Sequence, residues 1–310
     1  MRKIITYILL LTGALYSADI EAREREDDKK LSPKSNKDLA VDCAPSTARQ
    51  ELDLNNVRFL IETGGNMWED RAQGVPAYIV PKEGENSVLF AGSLWMGGYD
   101  PANNLKLAAV RFRQVGNDYW PGPLTNDGSA SINSEICLEF DRFWNTTKQD
   151  AELHSLWWQR INDGDPTNDN DPPFENGYTI PQSFLQWPGN GNISLGQDNI
   201  LGPFFDQNND GIYNPQQGDY PDYNLAGSTD CRNKFREDPV PLFGDENLFW
   251  IFNDKGNIHT ESSGEPIGME VRAQAFAFAT SDEINSMTFY NYVLINQGSL
   301  TLQDAYFGQW

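Results

Sequence analysis

One short loop carries oxygen-bearing side chains at the alternate positions that calcium-binding loops use. In the stretch DQNNDGIYNPQQGD, Asp206, Asn208 and Asp210 stand at positions one, three and five, and Gly211 stands at position six. The backbone carbonyl of Ile212, at position seven, would be a further ligand. Calcium is a hard cation that takes about six to eight oxygen ligands, and glycine permits the sharp bend between them. The spacing therefore predicts a calcium site.

The second half of this loop departs from the EF-hand pattern. Position twelve is Gln217 instead of a bidentate glutamate, and Asp219 lies two residues later, where its carboxylate would complete the ligand set. Pro215 disfavours a long exit helix, although Asn214 and Pro215 together are suited to open a single turn. The alternative is an Asp- and Asn-rich turn that binds no metal, because both residues are common in turns. The sequence leaves both interpretations open and favours calcium.

The surroundings of the loop lack positive charge. Between Arg160 and Arg232 there is no Lys, Arg or His. A second acidic loop, NDGDPTNDNDPP at residues 162–173, has a less regular spacing of Asp, which favours a loop without metal there. Carboxylates that lie close together without counter-charges repel unless they protonate or bind a cation, so we expect a divalent ion in this region. The eleven acids of the segment are Asp163, Asp165, Asp169, Asp171, Glu175, Asp198, Asp206, Asp210, Asp219, Asp222 and Asp230.

Other catalytic chemistry has weaker support in the residues. The motifs G-x-S-x-G and H-E-x-x-H are absent, and the two histidines, His154 and His259, are too few for a histidine-rich metal centre. A secreted glycoside hydrolase would need two carboxylates across a sugar. The candidates for that pair also fit an ordinary acidic surface; they are Glu62, Glu69, Asp70, Glu139 and Asp141.

Tryptophan is abundant enough to support a carbohydrate-binding platform. The chain has nine Trp, and aromatic rings with a polar edge suit both cores and wet recognition surfaces. Trp120, in the Pro/Gly-rich stretch DYWPGP, is the candidate that we expect to be exposed for ligand stacking. Trp95, Trp157 and Trp158 are further candidates, and packing in the core is the alternative role for all of them.

The composition and the N-terminus indicate export. The formal net charge of the 310-residue chain is −22, which disfavours nucleic acids and anionic membrane surfaces as partners. Residues 1–22 carry Arg2 and Lys3, an apolar run and then small residues, as in a secretory signal peptide. Residues 23–51 are expected to form a disordered charged leader. No later apolar run approaches about 20 residues, so we expect no membrane span in the mature chain.

Three cysteines follow the proposed signal peptide: Cys43, Cys137 and Cys231. An exported protein can form disulfides, and an odd number leaves one thiol without a partner in this chain. The spacing fits no zinc motif, and it leaves the pairing open.

The remaining sequence predicts a mainly β protein with a small helical insertion, loop-rich and antiparallel, with a β-sandwich-like architecture. We expect a β-rich region over residues 52–245, with helices near 134–162, where Thr147 would cap the second helix. The acidic loop-rich segment spans 161–231, and β-sandwich strands occupy 246–310. Alternation from Met287 to Leu294, followed by a turn and a return strand from Leu300, predicts a hairpin. Because the pattern of a strand continues to Trp310, we expect the sequence to be truncated there.

Several stretches in this order resemble the N-terminal region of large secreted surface proteins of Bacteroidetes. They are NNVRFLIETGGNMWED, LFAGSLWMGGYD, GNDYWPGPL, FFDQNNDGIYNPQQGDYPDY and FWIFNDKGNIHTESSGEPIGMEV. Such proteins commonly carry a C-terminal sorting domain for type IX secretion. The resemblance implies export through a secretion machinery to the cell surface or medium, and it implies no known activity.

The sequence thus predicts a secreted or cell-surface protein without catalytic activity, structural or adhesive, and stabilised by Ca2+. The alternative is a secreted polysaccharide-binding protein or glycoside hydrolase, for which carbohydrate would be the partner.

Overall fold

The strands predicted from apolar alternation form two main antiparallel sheets in the computed structural model, which describes residues 43–111, 115–168, 170–223, 225 and 241–310. Strands clearly outnumber helices, so the predicted mainly β class is confirmed. The strands are β1 (Arg49–Leu52), β2 (Arg58–Glu62), β3 (Asn66–Met67), β4 (Glu69–Asp70), β5 (Val75–Pro76), β6 (Tyr78–Ile79), β7 (Ser87–Leu89), β8 (Gly92–Tyr99), β9 (Leu105–Ala108), β10 (Trp120–Pro121), β11 (Trp144–Thr147), β12 (Phe204–Phe205), β13 (Tyr220–Pro221), β14 (Glu246–Asn253), β15 (Met269–Ala277), β16 (Phe289–Asn296) and β17 (Gln303–Gln309).

The two main sheets are antiparallel throughout. In the eight-stranded sheet the order is β17-β8-β3-β2-β6-β7, with β1 added beside β2 and β9 beside β8. In the five-stranded sheet the order is β10-β14-β15-β16, with β11 also paired to β14. The pairs β12–β13 and β4–β5 form small separate ribbons.

The two sheets pack face to face around one apolar core, as in a β-sandwich. Phe59 and Met96 enter this core from the eight-stranded sheet, and Trp250, Phe252 and Val271 enter it from the five-stranded sheet. All five are fully buried. Burial of each such side chain contributes on the order of 2 kcal/mol, so the sandwich interior is the main source of stability.

The opposite face of the five-stranded sheet supports a second core, which holds the helices and the acidic segment. Phe249 and Ile251 alternate with the sandwich-facing residues of β14 and lie in this second core. The helices are α1 (Ser134–Glu139), α2 (Lys148–Asn162) and α3 (Gln182–Leu185). The chain is therefore layered as sheet, sheet, and a layer of helices and loops.

The predicted helical region is interrupted by a strand. Residues 144–147 form β11, because this short run of Trp and Thr pairs with β14. Thr147 caps α2 as predicted, and its Oγ1 accepts a hydrogen bond from the Asp150 amide at 3.0 Å. The fully buried positions of α2 are Ala151 and His154, and Leu156 is only half-buried.

The predicted hairpin after β16 is wrong. β17 pairs with β8 of the other sheet instead of returning along β16. The connecting amides of Gln297 and Ser299 donate to the carbonyls of Gly268 and Gly128, at 3.0 Å each, so the turn is directed away from β16. Strands β10 and β11 also pair with β14. Each main sheet therefore contains strands from before and after the predicted boundary at residue 245.

The end of the predicted leader belongs to the fold. Cys43 is buried and forms a disulfide with Cys137, and β1 begins at Arg49. The predicted signal peptide, the leader up to residue 42, and Cys231 lie outside the described residues. Within the described part of the chain, no helix is both long and apolar enough to cross a membrane.

Candidate calcium loop

The predicted calcium loop connects the two strands of a short ribbon that rests on α2. Phe204 of β12 pairs with Pro221 of β13, and Phe205 pairs with Tyr220. The rings of Phe205 and Tyr220 stack at 4.9 Å between centroids. Tyr220 also contacts the ring of His154 on α2 edge-on. The two ends of the loop are thus fixed against the helix.

Two glycines permit the path of the backbone. Gly211, at position six, has φ +76°, a left-handed conformation that other residues rarely adopt. Gly218 has φ +93°, and a Cβ added there would come within 2.4 Å of the Trp158 ring. The loop therefore turns at the position that the calcium pattern requires and approaches α2 closely at its exit.

The side chains at positions one, three and five fold into the loop. Asp206 Oδ2 accepts a hydrogen bond from the Gly211 amide at 2.7 Å. Asn208 Oδ1 accepts from the Asp210 amide at 3.1 Å, and Asp210 Oδ1 accepts from the Ile212 amide at 2.8 Å. These oxygens therefore accept hydrogen bonds from the loop backbone, while Asn208 and Asp210 remain exposed to solvent.

Gln217, at position twelve, contacts Asn208, at position three. The Asn208 amide group, through Nδ2, donates to Asp210 Oδ2 at 2.9 Å and to Gln217 Oε1 at 3.2 Å. A weakly positive N–H group thus lies between two oxygens. The single exit turn that the sequence suggested is present as a 3-10 helix at Pro215–Gln217, which Asn214 caps. Gln217, which departs from the EF-hand pattern, is consequently part of the cluster.

Asp219 closes the base of the loop. Its carboxylate is fully buried and accepts hydrogen bonds from the Gln207 amide at 2.9 Å and the Asn214 amide at 2.7 Å. Burial raises the pKa of Asp219, the amide hydrogen bonds from Gln207 and Asn214 oppose this increase, and the charges of Asp206 and Asp210 add to it. The three carboxylates therefore oppose one another electrostatically, a situation that a bound cation would reverse.

His154 lies beneath the loop and acts as a packing residue. Its ring is fully buried, and Nδ1 lies 3.0 Å from the Tyr178 hydroxyl. Burial lowers the pKa of His154 to about 4, and the backbone groups of Pro215 and Asp219 only partly oppose this shift. The imidazole is consequently neutral at physiological pH.

The oxygen atoms that the loop offers as ligands are of the kind that a hard cation binds. Carboxylate and amide oxygens are the ligands that calcium prefers in proteins. Across the described ranges, however, no group of three or more His, Cys, Asp and Glu residues is arranged to hold a metal. The acids alone therefore do not form the site, and a calcium site here depends on the amide oxygens of Asn208 and Gln217 and on backbone carbonyls such as that of Ile212. The hydrogen bonds within the loop are also those of metal-free Asx turns.

The second acidic loop is organised by an arginine. Arg160, at the end of α2, donates to the carbonyls of Asp171 at 2.7 Å and Pro172 at 3.0 Å, and its guanidinium lies over the Phe174 ring. Asp163 Oδ2 accepts from the Asn168 amide group at 2.9 Å. This loop is therefore held by its own hydrogen bonds; Asp169 lies outside the described residues.

An arginine that is distant in sequence also forms an ion pair with the acidic segment. Arg272 of β15 lies 2.5 Å from Asp198 and 2.7 Å from Glu270, a fully buried carboxylate. Burial raises the pKa of Glu270, and Arg272 opposes the increase. The lack of positive charge along residues 161–231 is thus partly compensated by a neighbour in space.

The predicted exposure of Trp120 is wrong. Trp120 lies on β10 with only 2 % of its surface exposed, and it packs against the ring of His259 in the second core. The cause is the pairing of β10 with β14, which places an apparent loop at the edge of the sheet, where the second core covers Trp120. Trp120 is not available for stacking on a ligand.

Two of the carboxylates considered as a hydrolytic pair, Asp141 and Asp70, take part in local structural contacts. Asp141 accepts from the amides of Thr47 at 2.8 Å and Ala48 at 3.1 Å. Asp70 forms an ion pair with Arg49 at 2.9 Å beside an open groove of about 680 Å³ whose lining includes no aromatic ring.

A comparison with protein-family models gives no match, and comparisons with curated proteins and with solved structures give none either.

Proposed function

We propose that the protein is exported, acts outside the cell as a structural or adhesive protein without catalytic activity, and is stabilised by calcium bound in the loop from Asp206 to Asp219. The observation that carries this proposal is the inward folding of Asp206, Asn208 and Asp210 around Gly211, with Gln217 directed at Asn208. Export and passage through a type IX machinery are supported by the signal-like N-terminus and by the resemblance described above.

Charge supports the calcium assignment. In the part of the chain that the structure describes, no basic side chain is among the hydrogen-bond or ion-pair partners of Asp206, Asp210 and Asp219. Asp198 is compensated by Arg272, in contrast. Calcium would supply the missing positive charge, and it would replace the weakly positive Asn208 N–H group as the partner of the loop oxygens.

Thermal melting of the secreted protein at increasing calcium concentration tests the proposal. Calcium at one hundred times its Kd stabilises the folded state by about 2.7 kcal/mol, which corresponds to an increase in Tm of roughly 5–10 °C. Chelator should reverse the increase. The double variant Asp206→Ala/Asp210→Ala should melt at the same temperature with and without calcium.

Asp127→Ala provides a matched control. Asp127 is an exposed carboxylate in a turn, where it accepts hydrogen bonds from Ser129 and Thr125, so this variant should keep the full calcium response. If calcium leaves the Tm of the wild-type protein unchanged, or if the double variant responds as the wild type does, the loop does not bind calcium.

A further inference from the structure

The outward face of β8 is aromatic and uncharged. Leu94 and Met96 point into the sandwich core. Because side chains alternate along a strand, Trp95, Gly97 and Tyr99 point to the opposite face. Trp95 is half-buried, and Tyr99 is 39 % exposed. The strand therefore presents two aromatic rings, separated by a glycine, on the side away from the core.

β17 adds two more rings to the same face. Directly opposed residues of antiparallel strands project to one side, and Tyr306 is opposed to Gly97. Trp310 exchanges both backbone hydrogen bonds with Ser93, and its ring is stacked on Trp95 with centroids 5.8 Å apart and planes 10° from parallel. We call these four residues the aromatic face: Trp95, Tyr99, Tyr306 and Trp310.

The aromatic face is open to solvent. Tyr306 is 77 % exposed and Trp310 is 41 % exposed. Gly308 lies between them, and a Cβ added there would meet no atom within 4 Å. On the other side of β8, Tyr99 is opposed to Leu105, which is also exposed. Exposed apolar patches of this kind mark interaction sites.

We propose that the aromatic face binds a neutral polysaccharide chain. The C–H faces of sugar rings stack on aromatic rings, while phenol and indole groups offer hydrogen bonds at their edges. The paired outward positions of the three strands carry no charged side chain; they are Ser93, Trp95, Gly97, Tyr99, Leu105, Leu107, Gln303, Tyr306, Gly308 and Trp310. Asp304, an exposed residue, lies in the irregular stretch of β17 between Gln303 and Tyr306.

The net charge disfavours anionic partners. At −22, the chain repels polyphosphates, anionic surfaces and a second copy of itself. An uncharged sugar polymer meets no such repulsion. The inference extends the adhesive role proposed above, and it does not depend on calcium, so the two proposals can fail separately.

Affinity electrophoresis in gels that contain hydroxyethylcellulose, galactomannan or a soluble β-1,3-glucan tests this inference. The wild-type protein should be retarded by at least one of these neutral polymers, equally with calcium and with chelator, and not by dextran sulfate. Tyr306→Ala should weaken binding by about tenfold, the equivalent of 1.4 kcal/mol.

Two further variants separate recognition from stability. Gly308→Leu removes no contact and fills the space between Tyr306 and Trp310, so it should abolish retardation while the denaturation midpoint stays unchanged. Phe307→Ala is the matched control, because Phe307 is opposed to Met96 on the other side of β17 and is 47 % exposed; it should bind as the wild type does.

Three results would overturn the proposal. The first is the absence of retardation by all three neutral polymers. The second is an equal loss of binding in Phe307→Ala and Tyr306→Ala. The third is concentration-dependent dimerisation in sedimentation experiments that Tyr306→Ala removes and that no polymer displaces, because the aromatic face would then be a contact between copies of the chain.

Discussion

Removal of the Cys43–Cys137 disulfide should destabilise the protein more than any single surface change. The bond joins Cys43, in the segment before β1, to Cys137 on α1, 94 residues later. Cys43 also holds the loop after β14, because its amide donates to the Gly256 carbonyl and its carbonyl accepts from Asn257. The test is the double variant Cys43→Ala/Cys137→Ala.

The magnitude follows from the length of the closed loop. Cross-linking residues 94 apart removes chain entropy from the unfolded state that is equivalent to about 4.7 kcal/mol at 25 °C. Alanine keeps both positions apolar, which suits their burial of 97 % or more. The free energy of unfolding should therefore fall by about 4–5 kcal/mol, a large share of the stability of a typical domain.

Guanidinium denaturation followed by tryptophan fluorescence gives this free energy. Both proteins should carry Cys231→Ala, so that a third thiol cannot form an alternative bond. The m-value should rise in the double variant, because the unfolded chain without a cross-link exposes more surface. A difference of less than about 1 kcal/mol between the two proteins would refute the reasoning, since the bond would then not restrict the unfolded chain.

Three further outcomes follow from buried charged and titratable groups. Asp219→Asn should destabilise the protein by about 2 kcal/mol, because one buried amide loses its acceptor; the loss in chemical denaturation should be larger with calcium than with chelator. His154 has a folded pKa of about 4, below its unfolded value of about 6.5, so its neutral form stabilises the protein above pH 6.5 and this contribution is lost as the pH falls toward 4. It amounts to about 3 kcal/mol, and His154→Phe should flatten that part of the pH–stability curve. Arg272→Met should cost about 3 kcal/mol in the same assay at neutral pH, because Glu270 stays buried without its partner. The double variant with Glu270→Met should recover only part of the loss, because the buried Leu124 amide then loses its acceptor.

Periodicity along the chain predicted the secondary structure well where one face is buried. The alternation in β16 is borne out, since Tyr290, Tyr292 and Leu294 pack against the sandwich core. The cap of α2 at Thr147 was equally visible, because a side chain three residues from its partner amide needs only local geometry. The calcium-like loop was found in the same way, from the spacing of Asp206, Asn208 and Asp210.

Pairing between distant strands was not predictable from the same pattern. An alternation of two defines which residues share a face, and it does not define which sheet a strand joins. β17 was for this reason assigned to the wrong neighbour, and its pairing with β8 brings Tyr306 and Trp310 beside Trp95. The burial of Trp120 has the same origin, because it depends on a partner strand more than 100 residues away.

By itself, the sequence determined the mainly β class, the helix cap and the order of oxygen donors in the loop, because each depends on residues a few positions apart. Only the tertiary structure decided the disulfide pairing, the aromatic face and the compensation of charge. The compensation of charge shows this most clearly, because Asp198 and Arg272 are 74 residues apart in the chain and 2.5 Å apart in space. Electrostatic attraction depends on distance in space, and a count of charges along the chain does not measure that distance.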